Sequence, residues 1–271
     1  MIYATGDTHA SFQRFNMEIF PEQKAMNRGD IVLIAGDFGG IWAQTEPHPL
    51  RPERDRLKAL KNENYWLDWL QEKNCTFCYV LGNHENWNRY DSDEFETVDF
   101  YGGKAHRIRE NVYHLMSGFV FDFGGYTVYA FGGACSHDIY EGILDRADYS
   151  SDTAFKAAYK DWCAHKMFFR VKDYTWWERE SIPTKEEIRR GWENLKQHGN
   201  SVNLVLTHCL PWSVQSELPM YHFHEDAVTG YLQEVSEKIQ FRNWIFGHYH
   251  LNMTVKAKYH ILYEQIIKIK G

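Results

Sequence analysis

Residues 30–37 read DIVLIAGD. The apolar run Ile31-Val32-Leu33-Ile34-Ala35 is too short for a helix, rich in β-branched residues and free of polar alternation. It therefore predicts a strand buried on both faces, as in parallel sheets. The run ends on Gly36 and Asp37. Moving outward, the same construction recurs upstream in IYATGD (2–7) and downstream in TFCYVLGNH (76–84), VNLVLTH (202–208) and NWIFGH (243–248). Apolar residues at three- and four-residue steps mark helices between some of these runs, in SFQRFNMEIF (11–20) and NENYWLDWLQEK (62–73). Such β–α–β alternation predicts parallel strands joined by crossover helices.

Elsewhere the pattern is a meander. NVYHLM (111–116), FVFDF (119–123) and YTVYAFGG (126–133) read as consecutive short strands, with Gly124-Gly125 turning a hairpin between the last two. NMTVKA (252–257) and HILYEQIIKI (260–269) read as antiparallel strands joined near Lys258. The predicted fold class is α/β: two packed mixed β-sheets flanked by helices. One domain over 1–271 is expected, with a helical, Trp-rich insertion at about 135–200. In that insertion Thr184 with Glu187 three residues on forms a capping box. Trp176, Trp177 and Trp192 read as packing rather than as substrate stackers.

With 271 residues, 44% hydrophobic and 25% charged, the chain has material for a real core. A formal net charge of −7 and no Lys/Arg run argue against a surface that tracks extended nucleic acid. Cys75 and Cys78 form a lone CxxC inside an apolar run and read as packed, reduced thiols. The start, MIYATGDTHA, has no secretory pattern, and no stretch approaches the roughly 20 apolar residues of a membrane span, so a cytoplasmic location is expected.

The 14 histidines carry the functional signal. Reading only the ends of the five strand runs gives Asp7 and His9, Asp37, Asn83 and His84, His208, then His248 and His250. The carboxyl ends of parallel strands line one edge, where ligands bind. Buried Asp and His are costly unless paired or metal-bound, so convergence of this set has no structural motive of its own. Asp7 and His9, like His248 and His250, are two apart, so an extended segment would aim both side chains one way while Tyr249 faces away. Gly6, Gly36, Gly82 and Gly247 precede these residues and permit close backbone approach. Mixed oxygen and imidazole donors suit Mn, Fe, Zn or Ni rather than Ca.

Taken in order, GDTH, AGDFGG, GNHE, LTH and GHYH resemble the motifs of the calcineurin-like metallophosphoesterase superfamily, over residues 1 to 270. The resemblance implies two divalent ions, with manganese favoured. Asp7, His9, Asp37 and His250 would hold the first. Asp37, Asn83, His208 and His248 would hold the second, with Asp37 bridging. It further implies hydrolysis of a phosphate mono- or diester by in-line attack of a metal-bridging hydroxide. His84 would be the catalytic histidine, protonating the leaving oxygen or stabilising transition-state charge.

One departure bears on substrate. The phosphoprotein phosphatases of this superfamily carry G-D-x-x-D-R-G, whereas GDFGGIW has Gly40 and Ile41 at the Asp and Arg positions. The phosphate-gripping arginine must then come from elsewhere or be absent. This fits the broader bacterial and phage-type branch and a phosphorylated small-molecule or nucleotide substrate. Phosphoprotein phosphatase, nuclease and, in another class, a non-catalytic scaffold that binds a protein partner are the competing readings. His137, Trp42, Trp87, His222 and His224 are candidate substrate residues, with Trp212 a further candidate for stacking. No membrane partner is expected, and the sequence leaves the oligomeric state open.

Overall fold

The structure is a computed structural model and describes residues 1–218 and 225–270. Strands β1 (Ile2–Thr5), β2 (Ile31–Ile34), β3 (Thr76–Tyr79), β4 (Glu96–Phe100), β5 (Gly103–Arg109) and β6 (Val112–Leu115) form one sheet in the order β1-β2-β3-β6-β5-β4. β7 (Phe119–Asp122) and β8 (Thr127–Phe131) open a second sheet. β9 (Gly142–Leu144) and β10 (Phe169–Val171) pair apart from both as a parallel ribbon. β11 (Ser201–Thr207), β12 (Gln240–Phe246), β13 (Met253–Val255) and β14 (Tyr259–Ile261) complete the second sheet in the order β13-β14-β12-β11-β8-β7. β15 (Ile267–Lys270) returns to the first sheet, antiparallel to β1. As the sequence predicts, β1, β2 and β3 run parallel, and so do β11 and β12.

Strand periodicity builds the layers. Ile31 and Leu33 of β2 point into a middle layer with Leu204, Leu206 and Ile245 of the other sheet. Val32 and Ile34 point outward, onto Leu67 and Leu70 of α1 (Glu53–Gln71). On the far side, Val205, Trp244 and Phe246 pack with Leu195 of α4 (Lys185–Gln197) and Leu232 and Val235 of α6 (Ala227–Lys238). The result is two mixed sheets face to face, flanked by helices. The remaining helices are α2 (Trp87–Tyr90), α3 (Asp152–Ala164) and α5 (Trp212–Gln215). No helix among the described residues is long and apolar enough to cross a membrane.

Several local expectations need correction. SFQRFNMEIF forms only a 3-10 turn over Phe12–Phe15, because Asn16 Oδ1 accepts the backbone N–H groups of Glu18 and Ile19 and ends the helix there. The meander is divided: β6 pairs parallel with β3, and only β7 and β8 form the hairpin across Gly124-Gly125. The break lies at Gly118, whose φ of 86° turns the chain from one sheet to the other. HILYEQIIKI is likewise divided between β14 and β15, one in each sheet. β4 and β5 were not expected at all. Residues 135–200 contain the β9–β10 ribbon as well as α3 and α4, and the Thr184–Glu187 capping box at the start of α4 is formed as read. Cys75 and Cys78 are buried and unpaired to each other, and Trp177 is core.

Candidate metal centre

The carboxyl ends of β1, β2, β3, β11 and β12 converge on one rim. Asp7 is fully buried, and its carboxylate accepts the backbone N–H of His248 at 2.9 and 3.1 Å. Asp37 is buried too, and its Oδ1 accepts the backbone N–H of His84 at 2.7 Å. Two glycines make these seats possible. A Cβ at Gly247 would strike Asp7 Oδ1, and one at Gly82 would strike Asp37 Oδ1. The Asp7–His9 and His248–His250 segments are not extended, contrary to expectation. Asp37, His9, His248 and His250 have φ of 43°, 44°, 68° and 49°. Left-handed backbone at non-glycine residues costs of order 1–3 kcal/mol each and gathers at functional sites. The Tyr249 hydroxyl accepts from Gln215 Nε2 at 2.7 Å, but its ring lies 5.1 Å from that of His248 and the residue contributes to the pocket wall.

Two donor groups meet at Asp37. On one side, His9 Nε2 lies 3.1 Å from His250 Nε2, and the latter 3.2 Å from Asp7 Oδ2. His9 Nε2 is also 3.7 Å from Asp37 Oδ2. On the other side, His208 Nε2 lies 3.3 Å from Asp37 Oδ1 and 3.1 Å from Asn83 Oδ1. The two oxygens of one carboxylate thus face separate histidines. His248 stands beside this group, its ring 4.9 Å from that of His208 and 4.3 Å from that of His137.

The orientation of these donors tests whether a cation fits. His208 Nδ1 lies 2.8 Å from the Ala35 carbonyl oxygen, so it donates there. Asn83 Nδ2 donates to Ser136 Oγ at 3.1 Å, which turns Asn83 Oδ1 toward His208. His208 Nε2 then faces two acceptor oxygens, so a positive charge sits between them, a proton in the metal-free chain or a metal ion in its place. Burial alone would lower the His208 pKa, but the Asp37 and Asp7 carboxylates push it up to about 9. For Asp37, burial is outweighed by His208, His84 and His9, which hold its carboxyl well below the usual range. The donor set fits divalent metal ions.

Other side chains fix the frame, and most of them have no signature in the sequence. Arg14 donates to the Asp7 carbonyl oxygen at 2.7 Å and to that of Tyr263 at 2.7 Å. Ser136 Oγ donates to Glu180, a wholly buried carboxyl that burial pushes up to about 8. Glu63 of α1 accepts the backbone N–H groups of Trp42 and Ala43 at 3.0 and 2.9 Å, pinning the loop after β2. Glu85 accepts the Gly39 N–H at 3.2 Å in that loop, and burial raises its carboxyl pKa well above normal.

A cavity of about 180 Å3 opens over the centre, lined by Asn83, His84, His137, Asp138, Arg170 and His250 among others. Arg170 Nη2 donates to His84 Nε2 at 2.9 Å. Asp138 accepts from Arg170 Nε at 2.7 Å and from Nη2 at 2.9 Å. An arginine therefore does reach the pocket, but from β10, in the least regular part of the sequence. Burial, helped by the Arg170 charge, holds His84 down at about 4 against the pull of Asp37. Of the candidate substrate residues, His137 lines the pocket and Trp42 stands 5.9 Å ring to ring from His84. Trp87 does not face it. Its ring is buried in the core and donates to the Gly82 carbonyl at 3.0 Å, because the short helix α2 turns it inward. Trp212 is exposed at the start of α5. His222 and His224 lie outside the described residues.

A parallel-sheet rim of carboxylates and imidazoles, beneath a pocket lined by Arg170, is a donor set suited to holding metal ions. The family model of calcineurin-like phosphoesterases matches residues 1–252, ending just past GHYH, and the chain belongs to that family. It is a metal-dependent phosphoric ester hydrolase. No curated protein matches the chain.

Proposed function

We propose that the centre binds two divalent ions and hydrolyses the phosphate ester of a small molecule or nucleotide. The observation that carries this reading is the Asp37 carboxylate, with one oxygen toward His9 and the other toward His208. Asp7, His9, Asp37 and His250 would hold one ion; Asp37, Asn83, His208 and His248 would hold the other. When bound, the ions supply Lewis acidity toward phosphoryl oxygens and lower the pKa of water. The chain's own part is positional. The His208 contact with Ala35 and the Asn83 contact with Ser136 hold both donors ready. His84 keeps its Nε2 lone pair toward Arg170, since a guanidinium only donates. That argues against proton donation from His84 Nε2 while the Arg170 contact persists. A small pocket and a net charge of −7 support a small substrate over extended nucleic acid.

The test is metal titration followed by hydrolysis of p-nitrophenyl phosphate and bis(p-nitrophenyl) phosphate. Two ions per chain and chelator-sensitive turnover are expected. Failure of Mn, Fe, Co, Ni and Zn alike to support turnover would refute the reading.

A further inference from the structure

Arg170 is the one lysine or arginine lining the pocket among the described residues. Its origin is legible in β10: Phe169 and Val171 pack with Leu144 and Phe155, so strand alternation sends Arg170 to the opposite face. A guanidinium has five N–H donors. Here Nε and one Nη2 donor go to Asp138, a second Nη2 donor to His84, and one Nη1 donor to the Thr175 carbonyl at 3.0 Å. One N–H remains, and Asp138 balances the charge. This is not a free fork that could grip a dianionic phosphoryl group from two sides.

We propose that the Asp138–Arg170 pair, resting on the phosphoesterase reading above, selects phosphodiesters over phosphomonoesters. A diester carries one negative charge and two non-bridging oxygens, both of which the metal centre can engage. A monoester brings a second charge and a third oxygen, and the neutralised Arg170 offers these little. Hydrolysis forms one P–O bond to water and breaks one ester P–O bond, with the proton passing to the departing alkoxide. The product is a monoester, which this pair holds poorly and releases.

The experiment compares wild type with Asp138→Asn, which keeps an acceptor beside Arg170 but removes the balancing charge. Rates on bis(p-nitrophenyl) phosphate and p-nitrophenyl phosphate are measured with the metal-loaded protein. Binding of diphenyl phosphate and phenyl phosphate is measured by calorimetry on the same samples. Wild type is expected to have the higher kcat/KM on the diester. Asp138→Asn should shift the ratio toward the monoester by about tenfold, chiefly through KM, as one unmasked charge in a partly exposed site implies. The calorimetric ratio should move the same way. A monoester-preferring wild type, or ratios that Asp138→Asn leaves unchanged, would overturn the proposal. Absence of turnover on both esters would instead sink the phosphoesterase reading, and the calorimetric ratio would still decide the charge selection.

Discussion

Glu180 offers a sharp test of the shell behind the centre. Its carboxyl is wholly buried, receives Ser136 Oγ–H, and through Ser136 orients Asn83. Burial raises its pKa from 4.5 to about 8, although Ser136 and Arg170 pull the other way. The unfolded chain releases this proton near 4.5, while the folded chain keeps it to about 8. Between those values the unfolded state binds fewer protons, so stability falls as pH rises. At 1.36 kcal/mol per unit, the loss from pH 5 to pH 8 is about 3 kcal/mol. Buried histidines such as His84 and His114, held low in the fold, contribute the opposite slope below their unfolded pKa. A difference against Glu180→Gln cancels them, because the amide fills the same space and does not titrate. The assay is urea unfolding of chelator-stripped wild type and Glu180→Gln at several pH values. Stripping removes metal linkage. The variant should gain relative to wild type as pH rises, by about 3 kcal/mol across the window. A flat difference curve would refute the claim that burial keeps this carboxyl neutral.

Asp37→Ala should abolish binding of both ions, whereas His84→Ala should retain them and lose roughly 100-fold or more in turnover; metal analysis beside kinetics reads both, and equal metal loss would make His84 structural. Gly247→Ala drives a methyl into Asp7 Oδ1, so metal content should fall and stability drop by about 1–3 kcal/mol, measured by urea melts. Trp87→Ala should cost about 3–5 kcal/mol in the same melts, since its ring is core, while Trp42→Ala should act mainly on KM.

What the sequence disclosed and what it hid have one physical origin. β1, β2 and β3 are buried throughout, as are the carboxyl-terminal halves of β11 and β12, and continuous apolar runs announce such segments. Their ends also carried Asp7, Asp37, Asn83 and His208, because a buried polar residue after a strand has to be explained by a partner. Pairing partners were not legible. Alternation in residues 111–133 tells which side chains share a face but not which sheet the strand joins, so β6 and β7 could not be told apart before Gly118 turned the chain. β4 was missed for a related reason: its side chains are largely exposed, which leaves little apolar signal.

The arginine shows the limit most plainly. The absence of Asp and Arg at Gly40 and Ile41 posed a question that local sequence could not answer, because Arg170 lies 86 residues from His84 along the chain. Nothing in FFRVK distinguishes a surface strand residue from one aimed at a metal rim. Only the fold supplies the difference: β10 pairs with β9, Phe169 and Val171 commit one face to Leu144 and Phe155, and Arg170 is left facing His84 and Asp138. The arginine of this pocket comes from the β9–β10 ribbon and is paired there with Asp138. The metal motifs leave mono- and diesters alike open, so the proposed charge selection rests on residues 138 and 170 alone, and Asp138→Asn is the variant that tests it.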